Sequence, residues 1–219
     1  MLRALFEKTG NAIYISHLDL MRVFQRAFKR AGLPLTHTQG FNPRPSVSIA
    51  LPLSLGVESH CELLDFELEG ERLPNEEILA RLNAALIAGV RVLRVYEGGS
   101  KLKNLALLDC VVMLEYDAGI PEGAPERIAA LFAREEVIVE KKSKNGIAEQ
   151  NIIPMIRRIS VAPVCENELA LRVLASCQNP TLNPMQLSAA VNKYLPGLTP
   201  DFVRCCRVEV YDTNETVFR

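Results

Sequence analysis

The sequence predicts an α+β chain of two tandem ferredoxin-like (βαββαβ) units with antiparallel sheets, and three observations predict it. Within the first 96 residues the hydrophobic period alternates between two and 3.6 in the order β-α-β-β-α-β. A Gly98-Gly99-Ser100-Lys101-Leu102-Lys103-Asn104 stretch then reads as a linker. Beyond it the same order recurs, and the ends of the two halves resemble each other. Leu82-Asn83-Ala84-Ala85-Leu86 ahead of Val90-Arg91-Val92 is matched by Val191-Asn192-Lys193-Tyr194-Leu195 ahead of Arg207-Val208-Glu209. The expected organisation is a first unit at 1–97, a linker at 98–104 and a second unit at 105–219, the product of a tandem duplication.

Residues 2–8 read as a strand and Thr9-Gly10-Asn11 as a turn. Ser16 opens a helix that runs to about residue 31. Ser16-His17-Leu18-Asp19 has capping-box spacing with Asp in place of Glu or Gln, and Ile15 and Leu20 stand at hydrophobic-staple positions. Leu20, Phe24, Phe28 and Ala31 form its apolar stripe, and Gly32-Leu33-Pro34 ends it. Strands are expected at 46–51 and 62–69. A helix starting at Pro74-Asn75-Glu76-Glu77 carries Ile78, Leu79, Leu82 and Leu86, and a strand follows at 90–96. In the second half the pattern gives a strand at 105–116, a helix at 124–134, strands at 136–142 and 169–176, a helix at 184–194 and a strand at 203–211. Segment 143–165 fits this order least and is expected to hold an extra hairpin or insertion.

Composition bounds the class of protein. The 219 residues are 48% apolar and 23% charged, ordinary for a chain with a sizeable core. No apolar run is long enough to span a membrane, and Met1-Leu2-Arg3 does not open like a signal peptide, so a cytoplasmic protein without membrane partners is expected. Six cysteines without CxxC spacing read as reduced thiols. The net charge of −1 hides an asymmetry, because residues 1–60 hold seven Lys/Arg against three Asp/Glu while 61–136 hold eight against fifteen. The chain is therefore not basic throughout but can carry one basic face.

That face is expected on the first helix, where Arg22, Arg26 and Arg30 recur every four residues and Lys29 joins them. The loop that follows contains Gly40-Phe41-Asn42-Pro43-Arg44-Pro45. Proline fixes its own φ and biases the residue before it to extended geometry, so Asn42 and Arg44 are both constrained. A stiff loop that presents one guanidinium beside Phe41 suits recognition of a phosphate or carboxylate. The plainer reading is a rigid connector and a solvated helix face. Glu58 and Ser59, after the bend at Gly56, are candidates to meet Arg44 or a ligand. Lys141, Lys142 and Lys144 form a basic turn in the second half, plainly read as a soluble hairpin tip. His17 and His37 are candidate acid/base groups on the strength of imidazole chemistry alone, and the Ser16/Asp19 cap accounts for His17's surroundings without catalysis. The histidines and cysteines lack the spacing of convergent metal ligands, so no metal is expected. P-loop, GxGxxG, GxSxG, HExxH and CxxxCxxC motifs are all absent.

Taken together, Ile15-Ser16-His17-Leu18-Asp19-Leu20-Met21-Arg22, Arg26-Ala27-Phe28-Lys29-Arg30-Ala31-Gly32-Leu33-Pro34, Gly40-Phe41-Asn42-Pro43-Arg44-Pro45 and Leu55-Gly56-Val57-Glu58-Ser59 resemble a bacterial family. It is the radical SAM-linked domain of unknown function, fused to or encoded beside a radical SAM protein. The resemblance covers nearly the whole chain and is looser in the second half. There Lys141 to Lys144 fit the family's Lys-rich turn, but Asn151-Ile152-Ile153-Pro154 keeps only the proline of an Asp-Ile-Arg-Pro-like stretch. The resemblance implies a radical SAM partner that carries the iron–sulfur cluster and S-adenosylmethionine, with no cofactor in this chain. Tandem ferredoxin-like units also look like those of CRISPR repeat-associated RNA-processing proteins, a likeness of fold only.

The leading expectation is a non-catalytic module that presents structured RNA, such as tRNA or rRNA, to that partner. Arg22, Arg26, Lys29, Arg30 and Arg44 would meet phosphates and Phe41 would stack on a base. Two alternatives stand beside it. One is an RNA-processing or RNA-modifying enzyme with a His acid/base. The other is a protein-interaction scaffold that docks the partner through the acidic 61–136 region.

Overall fold

The structure, a computed structural model, describes every residue except Lys144, Asn145 and Asn179, together with all described side chains save those of Lys142 and Ser143. Among the described residues it is a mixed α+β fold with four α-helices and predominantly antiparallel sheet. The chain divides into two compact units, Met1–Asn104 with Phe218–Arg219, and Leu105–Val217.

The first unit contains β1 (Leu2–Lys8), α1 (His17–Arg30), β2 (Val47–Ile49), β3 (Val57–Phe66), α2 (Asn75–Ala85) and β4 (Val90–Glu97). β1 is flanked by β3 and β4, and β2 adds to β3, every pairing antiparallel. Ala4 and Phe6 of β1 alternate onto the face covered by α1 and join Phe24, Phe28, Leu64, Phe66 and Leu82 in the core. Phe6 meets Phe24 edge-on at 4.8 Å between ring centroids, and Phe28 packs against Phe66 at 4.9 Å.

The opposite face of β1 holds a buried ion pair. Arg3, 1% exposed, lies directly across from Asp65 of β3 and forks its carboxylate at 2.5 and 2.9 Å. Its remaining nitrogen donates to the Ser100 carbonyl at 3.0 Å, and the Phe218 ring lies 5.5 Å from the guanidinium carbon. Gly99 permits this closure. Its φ is +107°, and a Cβ there would stand 2.9 Å from Arg3 Nη1 and 3.1 Å from the Arg219 carbonyl carbon. The glycine-rich stretch 98–104 is thus part of the first unit, a strap whose Ser100 N–H also donates to the Arg219 carbonyl.

The second unit contains β5 (Leu105–Glu115), α3 (Ala124–Phe132), β6 (Ile138–Ser143), β7 (Gly146–Asn151), β8 (Ile156–Pro163), β9 (Glu168–Ser176), α4 (Met185–Tyr194) and β10 (Phe202–Asp212). β5 is flanked by β9 and β10, and β8 adds to β9, again antiparallel throughout. Segment 136–142, expected as a sheet strand, instead gives β6, which pairs with β7 in a separate two-stranded ladder. The sheet position it was expected to fill belongs to β8, inside the segment that fitted least. The physical reason is that β8 is an edge strand. It is half exposed, bulged between Ile156 and Arg158 and closed by Pro163, so it lacks the clean alternation of a central strand.

Candidate nucleic-acid interface

The first helix forms where its signals place it. Ser16 is the N-cap, its Oγ accepting from the Asp19 N–H at 3.2 Å and donating to the Asp19 carboxylate at 2.7 Å. These contacts with Arg22 hold the Asp19 carboxyl below its usual range, the Ser16 hydroxyl contributing most. Gly32, at φ +65°, reverses the chain, and the Leu33 N–H returns to the Phe28 carbonyl. Lys8 secures the approach to the helix from below. It is 1% exposed and donates to the carbonyls of Ile13 and Ile15 at 3.2 and 2.8 Å. Burial lowers its pKa, opposed by the charge of Glu62.

With Leu20, Phe24, Ala27 and Phe28 packed inward, the 3.6-residue period turns Arg22, Arg26, Lys29 and Arg30 to solvent, and all four are exposed. Arg22 pairs with Asp19 at 2.7 Å, and Arg30 donates to the Ala85 carbonyl at the end of α2. Arg26 and Lys29 have no hydrogen-bond or ion-pair partner among the described residues.

The proline loop is closed at its base rather than braced along its length. The Thr38 N–H donates to the Arg44 carbonyl at 2.8 Å, and the Arg44 N–H donates back to Thr38 Oγ1 at 3.0 Å. His37 and Pro45 form a β-bridge beneath them. Phe41 and Asn42 stand at the tip, with Phe41 112% exposed, and the Arg44 guanidinium is exposed without a partner among the described residues.

A cavity of about 490 Å³ opens between the last turns of α1 and the base of this loop. Gln25, Phe28, Lys29 and Gly32 reach it from one helical face at i, i+3, i+4 and i+7 spacing. Leu33 and Leu35 complete its buried lining, with Pro34 and Pro45 beside them. His37 and Glu69 are side by side in its lining, Nδ1 to Oε1 at 3.8 Å. Backbone pairing brings these residues together. The Glu69 N–H donates to Pro34 and the Thr36 N–H to Glu67, so the segment after α1 lies along the segment after β3.

The remaining sequence candidates lie elsewhere. Ser59 is fully buried, and its Oγ accepts from the Cys61 N–H. Glu58 accepts from the Gly10 N–H at the start of the short 3-10 helix Gly10–Tyr14. Both are occupied in holding the fold. His17 is the first residue of α1 and is remote in sequence position from the cavity-lining turns. Lys141 is exposed on β6 and Lys142 follows it on the same strand, both in the second unit, while Lys144 falls outside the described residues. Among the described residues no three His, Cys, Asp or Glu side chains are grouped to hold a metal ion. Sequence reasoning missed Gln25 and Glu69, which carry no motif and reach the cavity through non-local pairing. It also missed a second cavity of about 520 Å³ in the second unit, lined by Arg158, Arg172, Ser160 and Tyr211. There Arg172 forks Asp109 and Arg158 pairs with Glu215 at 2.8 Å, so both cations are already neutralised.

Comparison with known proteins places the chain. A family model described as "uncharacterized protein conserved in bacteria" matches residues 1–184, from β1 to the residue that precedes α4. The chain belongs to that family, DUF2344. Curated proteins give no match. Among solved structures, one chain in the crystal structure of a Cbf5-Nop10-Gar1 complex resembles it at 10% identity and a TM-score of 0.51, over 94% of this chain and 48% of that one. A chain in the structure of an H/ACA RNP bound to a substrate RNA containing 2′-deoxyuridine aligns at 9% identity and a TM-score of 0.46, over 94% and 46%. This member of DUF2344 therefore spans about half the length of these chains, and its likeness to the one in the Cbf5-Nop10-Gar1 complex is one of fold. Among the described residues no helix is long and apolar enough to cross a membrane.

Proposed function

We propose that this DUF2344 protein is an RNA-recognition module, working in the cytoplasm, that presents tRNA or rRNA to a radical SAM partner. The observation that carries the reading is the set of unengaged cations, Arg26 and Lys29 on α1 and Arg44 on the loop that also carries the fully exposed Phe41. Cations whose charge the fold leaves uncompensated bind phosphate without first breaking an ion pair, and an aromatic ring at a loop tip offers a stacking surface. The strand order supports a duplicated ferredoxin-like origin, because in each unit the first strand lies between the third and fourth and the second pairs with the third. The iron–sulfur and S-adenosylmethionine chemistry belongs, in this proposal, to the partner, and the present chain contributes substrate contacts.

The experiment is ultraviolet cross-linking of RNA to the full chain in cells, with the partner captured on a tag. RNA cross-links within 22–45 together with a co-captured radical SAM protein support the proposal. A chain that is recovered with the partner but without cross-linked RNA overturns the recognition role. A second reading, acid/base catalysis on RNA, is favoured by the approach of His37 to Glu69 within one cavity. Cleavage of end-labelled RNA by the purified chain, abolished in His37→Ala, supports it, and intact RNA removes it.

A further inference from the structure

We infer that the cavity between α1 and the base of the Phe41 loop takes one unpaired nucleobase, held with its 5′-phosphate toward Lys29. The inference rests on the RNA-recognition reading and narrows it to RNA with at least one base free of pairing. Its volume, about 490 Å³, is that of a small-molecule site. The chemistry of the lining selects the occupant. Pro34 and Pro45 give an accessible apolar bed, with Phe28, Leu33 and Leu35 buried in the same lining, so the ligand's body is apolar. Gln25 supplies a donor and an acceptor, with no partner among the described residues, and Glu69, its Oε1 3.8 Å from His37 Nδ1, supplies a second carboxylate oxygen as an acceptor. Hydrogen-bonding groups set around an apolar bed fit a heterocycle with polar edges and an apolar face. An aliphatic chain would leave the Gln25 amide unpaired and a sugar would leave the bed unfilled.

Charge sets the orientation. Lys29 is the cation of the lining and Arg26 lies one helical turn before Arg30 on the adjoining surface, so the phosphate belongs at the helix. Glu69 repels a phosphate and accepts from an amino group, which places the base edge on its side. A base with an exocyclic amino group is therefore held better than one without. Cytosine and uracil differ at that position, where an amino donor on one faces a carbonyl acceptor on the other, and they make the comparison direct. A closed duplex offers no such edge with a free face and cannot enter.

The test uses the full chain and fluorescence anisotropy with three probes: a 12-nucleotide oligocytidylate, an oligouridylate of equal length and a blunt RNA duplex. Gln25→Trp fills part of the cavity from a half-buried position in its lining, Glu69→Gln removes the carboxylate, and Arg26→Ala lies outside the cavity. Gln25→Trp should weaken oligocytidylate binding about tenfold, the worth of one stacked base, and leave duplex binding as it was. Glu69→Gln should abolish the preference for oligocytidylate over oligouridylate, while Arg26→Ala should weaken all three probes alike. If Arg26→Ala weakens binding but both cavity variants bind like the parent, the base-pocket inference falls and the RNA reading stands. If no probe binds, the RNA reading falls, and cytidine monophosphate titrated into the labelled chain decides the cavity by itself. Shifts of the Gln25 and His37 signals support a nucleotide site, and their absence overturns it. Glu69 is exposed and its substitution is isosteric, so that arm stands even where Gln25→Trp disturbs folding.

Discussion

Raising salt is the perturbation that measures how many of these cations meet phosphate. Arg26, Lys29 and Arg44 are unengaged, whereas Arg22 is held by Asp19 and Arg30 by the Ala85 carbonyl. Each phosphate neutralised on a single strand contributes about −0.7 to the slope of log affinity against log salt. Three contacts give a slope of about −2, so affinity falls about 20-fold between about 50 and about 200 mM salt. If RNA also draws Arg22 and Arg30 from their partners, the slope approaches about −3.5 and the loss is on the order of 100-fold. Anisotropy titrations of oligocytidylate at four salt concentrations read the slope directly. Arg26→Ala should bring it to about −1.4, because one counterion release is removed. A flat salt dependence refutes the phosphate contacts, and an unchanged slope in Arg26→Ala removes that residue from them.

Phe41→Ala should leave the melting temperature unchanged, since the ring is fully exposed, but cost about 1–3 kcal/mol of affinity for single-stranded RNA in the same titration. Asp65→Asn leaves the Arg3 guanidinium buried beside a neutral amide and should cost about 3–5 kcal/mol in urea denaturation, most of it recovered when Arg3→Met and Asp65→Leu are combined. The Asp19 carboxyl is held below its unfolded value of 3.8, so its support of α1 is complete above that pH and is lost as pH falls through the lower folded value. Melting curves of Asp19→Asn and the parent should therefore differ at neutral pH and converge in acid. Burial pushes the Cys177 thiol up to about 11, while Cys165 is exposed. Iodoacetamide at mildly alkaline pH should therefore label Cys165 and spare Cys177 in the folded protein, read by peptide mass, and equal labelling would refute the burial argument.

Local signals made α1 and its flanks legible in the sequence. Ser16, Asp19 and Gly32 act within a turn of the backbone they fix, and the Phe24/Phe28 stripe and the Arg/Lys face follow from helical period alone. The proline loop was legible as a loop, while the two Thr38–Arg44 hydrogen bonds that close its base were not. What could not be read depends on distant segments. β8 has an edge strand's mixed exposure, and its segment fits no clean alternation until β9 is in place beside it. Arg3 stands on what alternation marks as the polar face of β1. It is buried because Asp65 lies opposite it in the register and because the strap and the last two residues cover it. The cavity is of the same kind. Gln25 is an ordinary helix-surface amide and Glu69 one acid in an acidic run, and the pairing of 34–36 with 67–69 makes them neighbours.

One helix thus faces both the core and the candidate ligand, and the energetics of the two faces are separable. Phe24 and Phe28, each fully buried, contribute roughly 2–3 kcal/mol apiece to folding by area alone. Arg26 and Lys29 contribute no contact to it among the described residues. The loop divides in the same way. Two hydrogen bonds between Thr38 and Arg44 fix its base, while Phe41 at the tip gains nothing from burial. A single exposed aromatic is common on protein surfaces and carries no inference alone. Here it projects from a loop with a pinned base that also carries the unpartnered Arg44, so stacking and phosphate contact are available with little further loss of backbone freedom. Preorganisation of that kind is a property of ligand affinity rather than stability. The two faces of α1 should therefore fail separately, with substitution of Phe24 moving the denaturation midpoint and substitutions at Arg26, Lys29 or Phe41 moving the dissociation constant.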